Sequence, residues 1–274
     1  LRIVDFEGDY LTSRKIGADV YFVVNSYPYY HKEESVFEEI IPLYRESNTD
    51  EQPKLEDMEP VAKCTDINYI EPIQAQNFIT IASISMIDEN KDIGKEVIVG
   101  SGQNVYSSLE NLYIAQTSWS RYNVLGELRK DSEKTVITKF KLNEGEIKFL
   151  GTGEVNGHIL NQFSMDEYDN HLRIATTIGN VWDREKKSSN NVYVLNENIE
   201  VVGGLEDLAP GEKIYSVRFM GKKGYVVTFK KVDPLFVIDL SDHKNPSVLG
   251  KLKIPGYSDY LHPYDENHII GVGM

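Results

Sequence analysis

A single cysteine, Cys64, stands in 274 residues. One thiol excludes an intrachain disulfide framework and any thiolate metal cluster, and it leaves the redox compartment open. Long hydrophobic runs are also missing. The longest covers residues 20–24, strand-sized and far short of the ~20 residues that cross a bilayer as a helix. Basic charge is scarce: 29 basic against 43 acidic residues give a formal net charge of −14 and a pI near 4.9. A nucleic-acid binder needs a basic stripe to neutralise phosphates, so nucleic acid is not an expected partner. Catalytic templates are absent as well, with no HExxH, no GxSxG and no P-loop. Residues 100–105, GSGQNV, lack the third glycine of a dinucleotide loop and have no helix pattern behind them. The chain opens on Leu1 with no initiator Met, targeting segment or evident cap, so a piece of a longer protein is expected. What is present, 41% hydrophobic and 26% charged residues, is globular composition with material for one large core.

The organising feature is a repeat. Residues 213–229, KIYSVRFMGKKGYVVTF, place two apolar β-type runs around a Gly-Lys-Lys-Gly turn, which is hairpin chemistry. The same form recurs at 10–24, 104–117, 160–177 and 257–273. A second pair of strand patterns follows four of these hairpins, at 78–102, 134–157, 191–212 and 234–256, each turning on Asp, Asn, Gly or Pro. Hairpin plus hairpin makes a four-stranded antiparallel meander, so the expected fold is all-β: a β-propeller of four complete blades and a partial fifth, in one domain spanning 1–274. The ends of the second strands step by 93, 60, 52 and 44 residues, the last matching the ~40–50 residues of one blade. Insertions between second and third strands, at 25–77, 118–133, 178–190 and 230–233, account for the longer steps. Alternate connections of a meander leave the sheet on one side, so the insertions are expected to crowd one rim. The run 1–7 is expected to act as an outer strand, either of a preceding blade or as the clasp that closes the ring onto 257–273.

Residues 153–177, GEVNGHILNQFSMDEYDNHLRIATT, and 214–273, IYSVRFMGKKGYVVTFKKVDPLFVIDLSDHKNPSVLGKLKIPGYSDYLHPYDENHIIGVG, resemble the bacterial secreted and surface proteins whose C-terminal β-propeller is distantly related to WD repeats. The resemblance extends over nearly the whole chain, is dense in its last 120 or so residues and is loose through 27–71. It implies extracytoplasmic residence and assigns no catalytic residue.

Two places concentrate candidate function. The first is the insertion at 25–77. Between His31 and Glu71 it carries 12 acidic and 4 basic residues, a large share of the chain's net negative charge. Tyr27, Tyr29, Tyr30 and Tyr44 there are the residue type enriched in interface cores. Residues 33–46 can form a short amphipathic helix, with Val36, Phe37, Ile40 and Ile41 on one face and Pro42 limiting its length. The plain alternative is a solvated acidic loop. The second place is the set of first strands, which line the channel of a propeller. Ser13, Ser107, Ser216 and Ser258 recur there at comparable positions, with Asn161 or Gln162 in the remaining strand. Arg14 and Arg218 match each other, and a guanidinium so placed needs a carboxylate, a carbonyl or an anionic ligand.

Other clusters reduce to structure. Asp166, Glu167, Asp169, Asn170 and His171 align with plain hairpin turns. Residues 88–92, DENKD, fail the calcium-loop pattern, with Gly94 one position late and Val99 where the bidentate Glu belongs. The six histidines show no i, i+4 pair. Neither metal nor cofactor is therefore expected, and no catalytic residue is assigned. The leading expectation is a non-catalytic extracytoplasmic scaffold that binds a protein or glycan through the insertion-bearing rim, with Arg14, Arg218, Tyr27, Tyr29, Tyr30 and Tyr44 as the ligand-binding residues. The alternatives are a carbohydrate-active hydrolase using carboxylates and Arg at the channel mouth, and a structural spacer.

Overall fold

A computed structural model describes residues 2–28, 40–69, 77–100, 102–122, 128–182, 187–229, 233–254, 256 and 258–274. Turn chemistry fixes strand pairing. Asp169 and Asn170 hold φ of 51° and 58°, a left-handed pair that short polar side chains tolerate. They close a two-residue turn between β13 (Met165–Tyr168) and β14 (His171–Ile178), in register Tyr168↔His171 through Met165↔Ile174. β15 (Ser189–Leu195) and β16 (Val201–Leu208) complete that four-stranded sheet in sequential order. β17 (Lys213–Met220), β18 (Lys223–Phe229), β19 (Asp233–Asp239) and β20 (Ser247–Ile254) make the next one. β9 (Asn104–Ser107), β10 (Asn111–Tyr122), β11 (Leu128–Asn143) and β12 (Glu146–Asn156) make another.

In the first sheet β2 (Asp9–Ile16), β3 (Asp19–Ser26), β7 (Phe78–Ser85) and β8 (Gly94–Val99) run in the same order, with the short β6 (Asn68–Tyr69) added parallel to β8. The last hairpin, β21 (Ser258–Pro263) with β22 (Ile269–Gly273), stands as a two-stranded sheet. Among the described residues, four complete meanders and a two-stranded one thus follow in the order the repeat predicts.

The chain divides into two compact units, Leu1–Ile114 with Thr138–Leu150, and Ala115–Ile137 with Gly151–Met274. In the second unit the β17–β20 sheet buries both faces. Val217, Phe219, Val226, Phe236 and Ile238 pack with Ala175, Val192 and Val194 of the β13–β16 sheet. The alternate residues Tyr215, Tyr225, Val227, Leu235 and Val237 pack with Leu261 and Ile269 of β21–β22. A strand buried on both sides needs apolar residues at every position, which is why β18 reads as a continuous run rather than an alternating one.

Adjacent sheets also meet through main chain. A Cβ at Gly94, on the fourth strand of the first sheet, would collide with the carbonyl oxygen of Gly145 in the β11–β12 turn. Gly153 on β12 meets the carbonyl of Ile199 in the β15–β16 turn in the same way, and Gly203 on β16 meets that of His243 in the β19–β20 turn. The equivalent Gly250 on β20 has nothing within 4 Å. Three times, then, a fourth-strand glycine receives the following sheet's third-to-fourth turn.

Three expectations change. The run 1–7 contributes β1 (Ile3–Phe6), which pairs antiparallel with β4 (Leu43–Ser47) of the insertion rather than with the last hairpin. β4 in turn takes the two-residue β5 (Glu59–Pro60). Residues 43–46 are therefore strand and not the end of a helix; the rest of that helix, 33–39, lies outside the described residues. Of the residues expected on a helix face, Ile40 and Ile41 pack on a sheet instead, in one cluster with Tyr44, Val61, Ala62, Ile67, Phe6, Phe78 and Val97, whereas Val36 and Phe37 lie outside the described residues. Tertiary packing has overridden local propensity. Finally, the insertion at 118–133 is mostly an extension of β10 and β11 rather than a loop.

Candidate functional site

Residues 40–69 of the acidic insertion are tied down as a folded layer. Arg45, buried on β4, donates from Nε and Nη2 to Asp5 Oδ2 at 2.9 and 2.7 Å and from Nη2 to the Glu51 carbonyl at 2.8 Å. Tyr44 stacks on Phe6 with ring centroids 5.7 Å apart, and the Lys95 ammonium sits 3.3 Å from the Tyr44 centroid. Burial and the neighbouring Glu59 push the Tyr44 phenol up to about 12, and burial pulls the Lys95 ammonium down. Tyr44 is therefore neutral at ordinary pH and its ring is engaged by the layer beneath. Tyr27, just after β3, is exposed, as is Tyr69 on β6. Tyr29 and Tyr30 lie outside the described residues. The acids Asp50, Glu51, Glu56, Asp57, Glu59 and Asp66 all face solvent.

The same first unit holds a cleft of about 720 Å³ among hairpin turns, lined by Ile16, Asp19, Tyr21, Lys91, Glu110 and Lys141 among others. Its cations are matched: Lys91 Nζ donates to Asp19 Oδ1 at 3.0 Å and Lys141 Nζ to Glu110 Oε2 at 2.6 Å. Arg14, on β2 of this unit, is exposed.

In the second unit the first strands carry a different arrangement. Arg218 on β17 donates from Nε to the Leu261 carbonyl at 2.9 Å. Its guanidinium lies 4.1 Å from the Phe163 ring centroid and 5.3 Å from that of Tyr260. Phe163 is fixed by Asn161, whose side-chain oxygen accepts the Phe163 N–H at 2.9 Å at the start of a one-turn 3-10 segment, Gln162–Ser164. The recurring first-strand serines divide: Ser216 and Ser258 are buried, whereas Ser13 is exposed and bonds the Tyr10 hydroxyl at 2.7 Å.

Close by, Arg173 on β14 is almost completely buried and pairs with Asp166, its cross-strand partner on β13. Arg173 also donates to the Gly221 carbonyl and lies over the rings of Tyr168 and Phe219 at 5.0 and 5.1 Å. Burial pushes the Asp166 carboxyl up and Arg173 opposes it. The direct hydrogen-bonded contact with a guanidinium that cannot lose its proton favours the ionised pair at neutral pH. Sequence reading left Arg173 unassigned. The signal was available, because counting outward from the Asp169–Asn170 turn puts residue 166 opposite 173.

Two further features were also missed. His171 and His243 meet edge to face with centroids 3.8 Å apart, and Asp169 Oδ2 lies 3.9 Å from His243 Nε2. Trp182, in the insertion between β14 and β15, is 80% exposed while its backbone N–H is held by Asn180 Oδ1 at 2.9 Å. In this unit Glu133 accepts hydrogen bonds from His158 Nδ1 and the Gly179 N–H, the latter at 3.0 Å, and so ties two insertions together. Among the described residues no group of three or more His, Cys, Asp or Glu is placed to hold a metal ion, and no helix is long and apolar enough to cross a membrane.

A family profile described as "Beta propeller domain" matches residues 1–274. The chain belongs to that β-propeller family. Its four-stranded meanders are propeller blades with first strands β2, β9, β13 and β17, and β21 takes the first-strand place in the last, two-stranded sheet. This propeller is 44% identical over 201 residues to an uncharacterised protein of Methanocaldococcus jannaschii, a match covering 69% of this chain and 31% of the relative. It is 48% identical over 144 residues to an uncharacterised protein of Archaeoglobus fulgidus, covering 53% of this chain and 22% of that one. The propeller thus spans less than a third of the length of either relative. Both organisms are archaeal, so the bacterial setting implied by the sequence resemblance is not carried by these relatives.

Proposed function

We propose that this propeller is a non-catalytic binding scaffold, working outside the cytoplasm, that engages a protein partner with a basic surface through its blade insertions. The observation that carries the reading is the state of the 25–77 insertion. Its described part, 40–69, is a packed layer with its own apolar cluster and ion pairs, and Tyr27 and Tyr69 stand in solvent amid a row of exposed acids. A rigid aromatic-and-acid surface loses little entropy on association, and its charge steers basic partners while repelling nucleic acid and anionic polymers. Trp182 on the β14–β15 insertion offers a second exposed aromatic contact. Residence outside the cytoplasm rests on the sequence resemblance alone.

The test uses immobilised propeller with a lysine-rich peptide and a neutral oligosaccharide as probes. Binding of the basic probe that falls with salt, and is lost in Tyr27→Ala/Tyr69→Ala and in Glu56→Lys/Asp57→Lys with the fold intact, supports the reading. Unchanged binding in both double variants refutes it. Binding of the oligosaccharide alone moves the assignment to a glycan.

A further inference from the structure

Arg218 is held by three contacts that use only part of its chemistry. Nε is spent on the Leu261 carbonyl, and the Phe163 and Tyr260 rings, with centroids 5.6 Å apart, fix the guanidinium between them. No acceptor among the described residues takes a hydrogen from Nη1 or Nη2, and Arg218 joins no ion pair there. In a chain with 43 acids against 29 bases, an immobilised guanidinium left without a carboxylate is unusual. Within the 3-10 segment that carries Phe163, Ser164 is fully buried and its hydroxyl has no partner. The neighbouring carboxylate, Asp166, is committed to Arg173, whose own Nε is also buried without an acceptor. Arg218 therefore lies within the field of Asp166 but does not share its hydrogen bonds.

The geometry points to a binding site for a ring-borne monocarboxylate at the first-strand surface of β17 and β21. With Nε occupied, the Nη1–Nη2 end of Arg218 presents two parallel N–H donors, the fork that matches a planar carboxylate. The rings of Phe163 and Tyr260 hold that fork in place before the ligand arrives, so little side-chain entropy is lost on binding. They also supply apolar area for the ring that carries the acid, and Tyr260 is further oriented by a 3.2 Å hydrogen bond between its hydroxyl and His262 Nδ1. Charge selects among anions. One unmatched guanidinium balances one negative charge, whereas a dianion or polyanion meets the field of a chain with net charge −14. This site is separate from the insertion surface and stands or falls independently of it.

Isothermal titration of the whole chain with glucuronate, benzoate, glucose and inorganic phosphate at matched ionic strength tests the assignment. Saturable binding of a carboxylate, without saturation by glucose, is expected. Arg218→Gln is expected to weaken it by at least about tenfold. Arg218→Lys, which keeps the charge but loses the fork, is expected to weaken it several-fold in a protein whose far-ultraviolet circular dichroism shows it still folded. Glucuronate binding above benzoate assigns an acidic sugar as the source of the carboxylate, and the reverse order assigns a free aromatic acid. The inference is overturned if no carboxylate saturates by about 50 mM, if phosphate binds more tightly than both acids, or if Arg218→Lys binds as the parent does.

Discussion

Replacing residues 28–76 with a short turn should destabilise the first unit, contrary to the usual tolerance of blade insertions. A loop that merely projects from a sheet costs only its closure entropy, and shortening it is nearly neutral. Here Phe78 on β7 and Val97 on β8 are 3% and 1% exposed, and Ile41, Tyr44, Val61 and Ile67 of the insertion belong to their cluster. Re-exposing two such side chains costs roughly 1.5–3 kcal/mol each, or about 3–6 kcal/mol together. The loss of the β1–β4 pairing and of the buried Arg45–Asp5 ion pair adds to this. Against a total domain stability of about 5–15 kcal/mol that is a large fraction, and it should lower the thermal midpoint by on the order of 10 °C. Urea unfolding followed by tyrosine fluorescence and far-ultraviolet circular dichroism measures it. Should the shortened protein fail to fold, Ile41→Ala reports the same cluster at about 2–5 kcal/mol. An unfolding free energy within about 1 kcal/mol of the parent for both variants would show that the blade carries its own cover and that the argument is wrong.

The remaining predictions concern the contacts between sheets. Burial and the facing His171 hold the His243 imidazole below its ordinary range, with Arg173 adding to that and Asp169 and Asp242 opposing it. A depressed folded-state value contributes stability that is present above the unfolded pKa of about 6.5 and lost as pH falls through the folded one. Thermal midpoints should therefore decline below about pH 6.5, and His243→Gln should flatten that decline; an unchanged slope sinks the assignment. Gly203→Ala should cost about 1–3 kcal/mol because its methyl meets the His243 carbonyl, whereas Gly250→Ala, with open space around it, should be neutral or slightly stabilising in the same denaturation assay. Equal effects at the two positions would refute the steric reading.

Most of the fold was legible because its determinants are local. The residues 221–224 and 169–170 announce hairpin turns by their glycines and Asx residues, and each turn sets the register of the strands beside it. What escaped was non-local. Nothing near Leu43 announces that β1, some 40 residues away, will supply its partner, and the Glu-rich approach to it favours a helix in isolation. At the candidate sites Arg218 was singled out by its place on a first strand. Its aromatic cradle was not, because Phe163 and Tyr260 come from other blades. Arg173 was hidden among β-branched residues, where only the pairing of 166 with 173 gives it away.

The three occupied glycine positions bear on how this protein tolerates change. At each, the neighbour is a carbonyl oxygen, an atom every residue possesses, so the spacing between successive sheets inside a unit is gauged by backbone against backbone. Side chains in the third-to-fourth turns are then free to drift, as their unlike sequences around Gly145, Ile199 and His243 show. The opposite connections are free in another way, since the second-strand ends step from 93 residues down to 44 without altering this gauge. One edge of each sheet acts as a fixed ruler, and the other is where new sequence can be added without disturbing the measure.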